Sequence, residues 1–463
     1  MRYFYAVFFA SVLFAPPGMG ETYIVSPSGN DGGTGLSGDP WLTLQHAADS
    51  VAAGDEVIVE DGTYDGFYTV TGGTRGSPVT FRAASSGVVI DTSNSETPDN
   101  INVEGTDYVV IDGFTVVDAE RTGIRVAVSR GVIVRNCTIG PSGTWGILSG
   151  FAPEIQVLGN QTFGSVEQHG IYISNSDVPD DNPVIAGNEV YGNAMNGIQL
   201  NGDCFMGGDG VISGAVIEGN YVHDNNNKGL SIISASDSVI RNNLIVGNGI
   251  TAGAGGIHLV DEPDCGNPSS RDVVVNNTIF EPRIAAIRIN LGAEDNVIFN
   301  NLIISTRGEP IADEDGLSLV DGATNLVFPD ATAVIFADPA ARDYHLAASS
   351  PAVDAGAASF GGAGAPGADL DGLPRPGGSG FDVGCYEYYS SPPPVDEGTE
   401  PVPDEADASD AADTPPGDAV VNDVPRDLPR DTASEGHEDG AAGDPGEETG
   451  EEEASGCSCG VVR

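Results

Sequence analysis

Two short patterns recur along the middle of the chain and limit what it can fold into. The first is a glycine followed by an apolar, a variable and a second apolar residue: Gly123-Ile124-Arg125-Val126, Gly146-Ile147, Gly170-Ile171-Tyr172-Ile173, Gly197-Ile198-Gln199-Leu200, Gly229-Leu230-Ser231-Ile232 and Gly256-Ile257-His258-Leu259. The second begins with asparagine at Asn136, Asn160, Asn188, Asn220, Asn243, Asn277 and Asn301, with spacings of 24, 28, 32, 23, 34 and 24 residues. A unit of about 23 residues is too short to bury its own apolar face, so neighbouring units must stack. Three short strands and three turns fill such a coil, which predicts an all-β parallel solenoid of nine or more coils from residue 56 to about residue 335.

Apolar residues at every second place point into the solenoid, and the residue between them points out. The asparagines are expected to form one column, each tolerating left-handed backbone in a tight turn and bonding the next amide along the stack. The Asn-x-Thr triplets at Asn136, Asn160 and Asn276 then read as structural rather than as glycosylation acceptors. Open solenoid ends need covers. Leu44, Ala47, Ala48 and Val51 fall at helical spacing and predict a short capping helix within Thr43 to Ala53, with Trp41 and His46 as packing and solvated neighbours.

The segment Tyr23-Ile24-Val25-Ser26-Pro27-Ser28-Gly29-Asn30-Asp31-Gly32, with Pro40-Trp41 and Gly54-Asp55-Glu56-Val57-Ile58-Val59, resembles the amino-terminal cap of secreted right-handed parallel β-helix proteins of the pectin-lyase-like class. Family 9 and family 6 polysaccharide lyases share that opening. The resemblance, with the coils, assigns residues 21–337 to a β-helix with its cap. Ser350-Pro351-Ala352-Val353-Asp354-Ala355-Gly356, Asp369-Leu370-Asp371-Gly372-Leu373-Pro374-Arg375-Pro376 and Asp382-Val383-Gly384-Cys385-Tyr386-Glu387-Tyr388 resemble the choice-of-anchor Q domain, which implies a second cap over residues 338–389. Cys385 stands there in place of the usual small residue, and either pairs with Cys137 or stays unpaired.

Residues 1–20 read as a signal peptide, with Met1-Arg2, the apolar run Phe4 to Ala15, and small residues before Gly20. Residues 390–463 hold 21 of the 69 acidic residues against Arg426, Arg430 and Arg463, and no aromatic, so they are expected to be a disordered acidic spacer. Its terminal Gly456-Cys457-Ser458-Cys459-Gly460 loosely resembles the cysteine motif of some bacterial sorting signals. The net charge of −51 argues against nucleic acid as a partner. No later stretch suits a transmembrane helix, and the expectation is an exported or surface-displayed monomer.

On a solenoid, a site is a patch of columns. The outward position of the Gly-apolar strand runs Arg125, Leu148, Tyr172, Gln199, Ser231, His258, Arg288, and the residue before its glycine runs Thr122, Trp145, His169, Asn196, Lys228, Gly255. Rings, amides and hydroxyls in ordered rows suit extracellular polysaccharide. The substrate-binding candidates are therefore Trp145, His169, Tyr172, Asn196, Gln199 and Ser231. The turns after the same strand carry Asp177, Asp180 and Asp181, then Asp203 and Asp209, then Asp237, then Asp261, Glu262 and Asp264. Stacking would bring these acids together, so Asp177, Asp180, Asp181, Asp203 and Asp209 are expected to hold calcium. Loops two coils apart, with a short loop between, make Cys204 and Cys265 a disulfide pair.

Two functions follow. One is a non-catalytic rod that binds polysaccharide. The other is a calcium-dependent uronate lyase using Lys228, the chain's single lysine, with His258 and Arg288, or a glycoside hydrolase working through two of the loop carboxylates. Resemblance to the lyases stops short of their catalytic patterns: Asp112-Gly113-Phe114 lacks the family 9 context, and the family 6 Asn-Lys-Ser-Ser and Arg-His elements are absent.

Overall fold

The computed structural model describes residues 20–174, 180–250, 255–262, 265–280, 285–305, 309–332 and 334–391. The expected signal peptide lies outside these residues except for Gly20, and so does the acidic spacer beyond residue 391. Three long parallel sheets of 12, 11 and 10 strands run side by side and are called A, B and C below. Each coil contributes one strand to A, turns, contributes one to B, and then one to C, as in Val109–Asp112, Thr115–Val116 and Thr122–Ala127.

The repeat spacing becomes a column because the strands pair in register. The inward row of sheet A reads Val57, Phe81, Ile111, Val134, Val157, Ile185, Ile217, Ile240, Val274 and Ile298. All ten are fully buried in one continuous core. The repeated glycine before each C strand has a packing reason. A Cβ on Gly197 would stand 2.4 Å from Val222 Cγ1, and one on Gly229 would stand 2.6 Å from Ile245 Cγ2. The B strand of the next coil fills the space a side chain would need.

At the corner between A and B, Asn160, Asn188, Asn220, Asn243, Asn277, Asn301 and Asn325 form an unbroken buried ladder. Each Oδ1 accepts the backbone N–H and the Nδ2 of the previous rung, at 2.9 to 3.1 Å. Two details differ from the sequence reading. Left-handed backbone falls one residue earlier, at Gly159, Gly187, Gly219, Asn242, Asn276 and Asn300. Asn136 belongs to that preceding position, with φ 55°, and Cys137 takes the ladder place, its N–H donating to Asn160 Oδ1. A second ladder, Ser165, Asn193, Asn225 and Asn248, lines the corner between B and C. Its sequence signal was the residue five places after each A–B rung.

At the amino end, helix Leu44–Ser50 buries Leu44, Ala47 and Ala48, with Thr43 Oγ1 accepting the His46 N–H. Trp41 is buried and stacks on Tyr23 with ring centroids 4.5 Å apart. Thr22–Val25 is itself the first strand of sheet A, one strand earlier than the expected start at Glu56.

The carboxy-terminal segment is not placed as an end cap. Its apolar side packs with Leu244, Val246, Leu302 and Ile304 on the outer face of sheet B. Its residues Phe360, Ala363 and Ala365 pack with Val275, Val297 and Phe299 of sheet A. Val327, the inward residue of the last B strand, remains 42% exposed. The segment therefore lies along the flank of the last coils. Its motif residues form its own polar core: Arg375 and Glu387 make a 2.6 Å ion pair with both side chains fully buried. Cys385 and Cys137 are buried free thiols, each pushed up to about 12, chiefly by burial.

Candidate functional site on the face of sheet C

Register places the outward row of sheet C as the spacing predicts: Arg125, Leu148, Tyr172, Gln199, Ser231, His258 and Arg288 are successive pairing partners. Coils about 4.8 Å apart spread the stretch from Trp145 to Arg288 over about 24 Å. Accessibility is uneven along this row and along the adjacent column of residues that precede the glycines. Trp145, Tyr172, Lys228, His258 and Arg288 reach solvent, whereas His169, Asn196, Gln199 and Ser231 are buried.

Those four were expected to meet the ligand directly, and instead they form a floor. A short side chain between long ones one coil spacing away lies below their tips. The floor is internally bonded: Asn196 Nδ2 donates to Gln199 Oε1 at 2.5 Å, the Asn196 N–H donates to His169 Nδ1, and Asn196 Oδ1 accepts the Lys228 N–H. Ser231 Oγ is buried with no hydrogen-bond partner among the described residues.

The aromatic end of the row is a small stack. Trp145 and Tyr172 are nearly parallel at 12° with centroids 6.3 Å apart, and His169 lies 5.5 Å from Tyr172. The Tyr172 hydroxyl donates to Asp203 at 2.6 Å. Burial first, and the Asp203 charge second, push the Tyr172 phenol well above its usual value, so it stays a neutral donor.

Toward the other end, Lys228, His258 and Arg288 line one cleft with Gly255, Gly256, Ile257 and Ala285. Burial, then the Lys228 charge, push both His169 and His258 down to about 3. His258 is thus a neutral imidazole at pH 7. Asn290 Oδ1 lies 2.7 Å from its Nε2, which places the proton on Nε2 and leaves Nδ1 as the acceptor nitrogen. Arg288 donates to Glu314 at 2.6 Å. An imidazole with so low a pKa is a weak base.

Six of the loop carboxylates accept hydrogen bonds. Asp181 accepts the backbone and hydroxyl of Ser213, Asp203 accepts Tyr172 and Asn201, and Asp209 accepts the Val211 N–H. Asp237 pairs with Arg271, Asp261 accepts Ser234 and Asn267, and Glu262 accepts the Cys204 N–H. Asp180 is exposed, and Asp177 and Asp264 lie outside the described residues. Among the described residues, the one group of three whose ligand atoms converge is Cys204, Glu262 and Cys265, and its two sulfurs are joined to each other. The donors to Asp181, Asp203 and Glu262 come from other coils, Ser213, Tyr172 and Cys204 respectively. Cys204 and Cys265 form a disulfide across 61 residues with Cα atoms 6.0 Å apart.

Comparison with known proteins agrees with this architecture. Residues 155–330 match the family model described as the right handed beta helix region. Residues 59–205 match the model described as periplasmic copper-binding protein (NosD). The uncharacterized protein YwoF of Bacillus subtilis (strain 168) is 27% identical over 235 residues, 49% of this chain and 47% of its own length. The chain thus spans about half the length of that relative. Among solved structures, pectate lyase Pel9A superposes with a TM-score of 0.57 at 19% identity, covering 80% of this chain and 97% of that one. A rhamnogalacturonan lyase gives 0.46 at 15% identity, covering 65% and 87%. These likenesses concern the fold. The chain has the right-handed parallel β-helix fold.

Proposed function

We propose that the protein binds an extracellular polysaccharide along the face of sheet C and does not cleave it. One observation carries this reading: the accessible Tyr172, His258 and Arg288 of the outward row, with Trp145 and Lys228 of the adjacent column, stand around a buried, self-bonded floor. A straight row of fixed donors and ring edges matches an extended polymer better than a compact ligand. Pyranose hydroxyls would meet the Tyr172, Lys228, His258 and Arg288 polar groups, and the Trp145 ring would take a sugar face. Against catalysis stand the low pKa of both histidines and the engagement of Arg288 with Glu314. Export belongs to the same reading, supported by the match of residues 59–205 to a model described as periplasmic. Among the described residues, no helix is long and apolar enough to cross a membrane.

The convergence of Lys228, His258 and Arg288 on one cleft favours a lyase as the second reading. One experiment separates the two. The full chain is titrated against pectate, alginate, glycosaminoglycan and neutral glycans, with and without calcium, while absorbance of unsaturated uronides is followed. Binding is expected without new absorbance, and Trp145→Ala should weaken it about three- to tenfold, the range of one lost ring contact. Absorbance that grows with time and vanishes in Lys228→Ala would replace the binding reading with the lyase. A calcium requirement for either outcome would place a cation among the loop acids.

A further inference from the structure

Beside the face of sheet C, residues 203–210 form a loop whose middle is the 3₁₀ turn Cys204–Met206. No residue of that turn is buried. Phe205 is 67% exposed and Met206 52% exposed, and Phe205 is the only exposed phenylalanine or tryptophan among the described residues. A surface turn that contributes nothing to a core is ordinarily loose and polar. This one is tied from every side. Cys204 is bonded to Cys265, its N–H donates to Glu262, and Asn267 Nδ2 donates to the carbonyls of Asp209 and Gly210. On the sheet side, Asp203 holds left-handed backbone at φ 45° and accepts both the Tyr172 hydroxyl and Asn201 Nδ2. The packing is close enough that a Cβ on Gly210 would stand 2.7 Å from Asn267 Nδ2 and 2.8 Å from Cys204 Cβ.

Rigidity without burial is what a binding surface needs, because a ring carried on a fixed backbone has less freedom to lose when a ligand covers it. We propose that the Cys204–Met206 turn is a stacking platform, with Phe205 receiving one pyranose ring of a polysaccharide that lies on sheet C. This assignment rests on the binding reading above and adds the residue that would select for sugars with a flat, apolar ring face. Its continuity with the site runs through Asp203: the residue that starts the turn also holds Tyr172, the central ring of the aromatic stack.

The test is isothermal titration of the full chain with the polysaccharide bound by the parent protein, comparing Phe205→Ala, Phe205→Trp, Trp145→Ala and the double variant Cys204→Ser/Cys265→Ser. Phe205→Ala should bind about three- to tenfold more weakly with an unchanged melting temperature, and Phe205→Trp should restore the affinity. The double serine variant should also bind more weakly although Phe205 is present. If Trp145→Ala weakens binding and Phe205→Ala does not, the platform is wrong and the face reading stands. If the parent binds no polysaccharide, both fall. If Phe205→Ala changes the oligomeric state and leaves affinity unchanged, a second copy of the chain covers the turn and the proposal is overturned.

Discussion

Asp272 occupies a corner rung where the chain turns into sheet A. Its Oδ1 accepts the Ser238 N–H, its own N–H donates to Asn296 Oδ1, and its Oδ2 is buried without a partner among the described residues. Burial raises its pKa to about 7. The folded protein therefore holds a proton there that the unfolded chain, titrating near 3.8, has already released. Where the native state binds more protons than the unfolded state, stability falls as pH rises. This contribution is fully present below about pH 4 and is lost as pH climbs to about 7. Asp272→Asn removes the titration and supplies an amide like its neighbour Asn296. It should raise the melting temperature at pH 8 and leave it nearly unchanged at pH 4, so the gap between variant and parent grows across that window. An equal shift at both pH values would show that the buried proton is not responsible.

At the scale of elements, the left-handed position at the A–B corner meets the carboxy-terminal segment in the later coils. Gly159, Gly187 and Gly219 hold it in the middle coils, and Asn242, Asn276 and Asn300 hold it in the later ones. Each of these asparagines clamps the segment: Asn242 Nδ2 donates to the Ala368 carbonyl, Asn276 Nδ2 to those of Asp382 and Gly384, and Asn300 Nδ2 to that of Ala357. Backbone preference alone would favour glycine at φ 53°. Asn276→Gly therefore tests which demand dominates. If the asparagine serves only the turn, the variant should be as stable as the parent or slightly more so. The three lost hydrogen bonds, two to the segment and one from Asn300 Nδ2, predict the reverse, a destabilisation of about 1 to 3 kcal/mol. Limited proteolysis should then cut residues 334–391 sooner, with the solenoid core still protected. Unchanged cleavage would remove the clamp from the account.

For the whole molecule, charge decides which polymers can approach. The net charge of −51 sets a repulsive field for any polyanion, while Lys228 and Arg288 offer local attraction on the binding row. Salt shortens the Debye length from about 30 Å at 0.01 M to about 8 Å at 0.15 M, which screens the distant acids more than a contact at hydrogen-bond range. Affinity for a polyuronate is therefore expected to rise over that range, and affinity for a neutral glycan to stay flat. This is opposite to the salt dependence of a protein that binds a polyanion by releasing counterions. Titrations at the two ionic strengths check it, and a polyuronate affinity that drops steeply with salt would mean that the local cations outweigh the field.

Period and alternation were legible in the chain because both are local. Gly-apolar spacing placed Tyr172, Gln199, Ser231, His258 and Arg288 in one row, and the asparagine spacing located the A–B ladder, since a parallel solenoid repeats each corner once per coil. The slip at Asn136 arose because Asn136-Cys137-Thr138 imitates the Asn-x-Thr rung while the pairing of Thr138 with Gln161 fixes the register one residue later. Tertiary structure alone decided the rest. Whether Asn196, Gln199 and Ser231 face a ligand or lie beneath it depends on the length of side chains one coil away. Whether Asp181 and Asp203 face a cation or a protein donor depends on Ser213 and Tyr172, which lie 32 and 31 residues distant in sequence. The flank position of the carboxy-terminal segment was set by amides on Asn242, Asn276 and Asn300, contacts more than 50 residues apart in the chain that no spacing rule reaches.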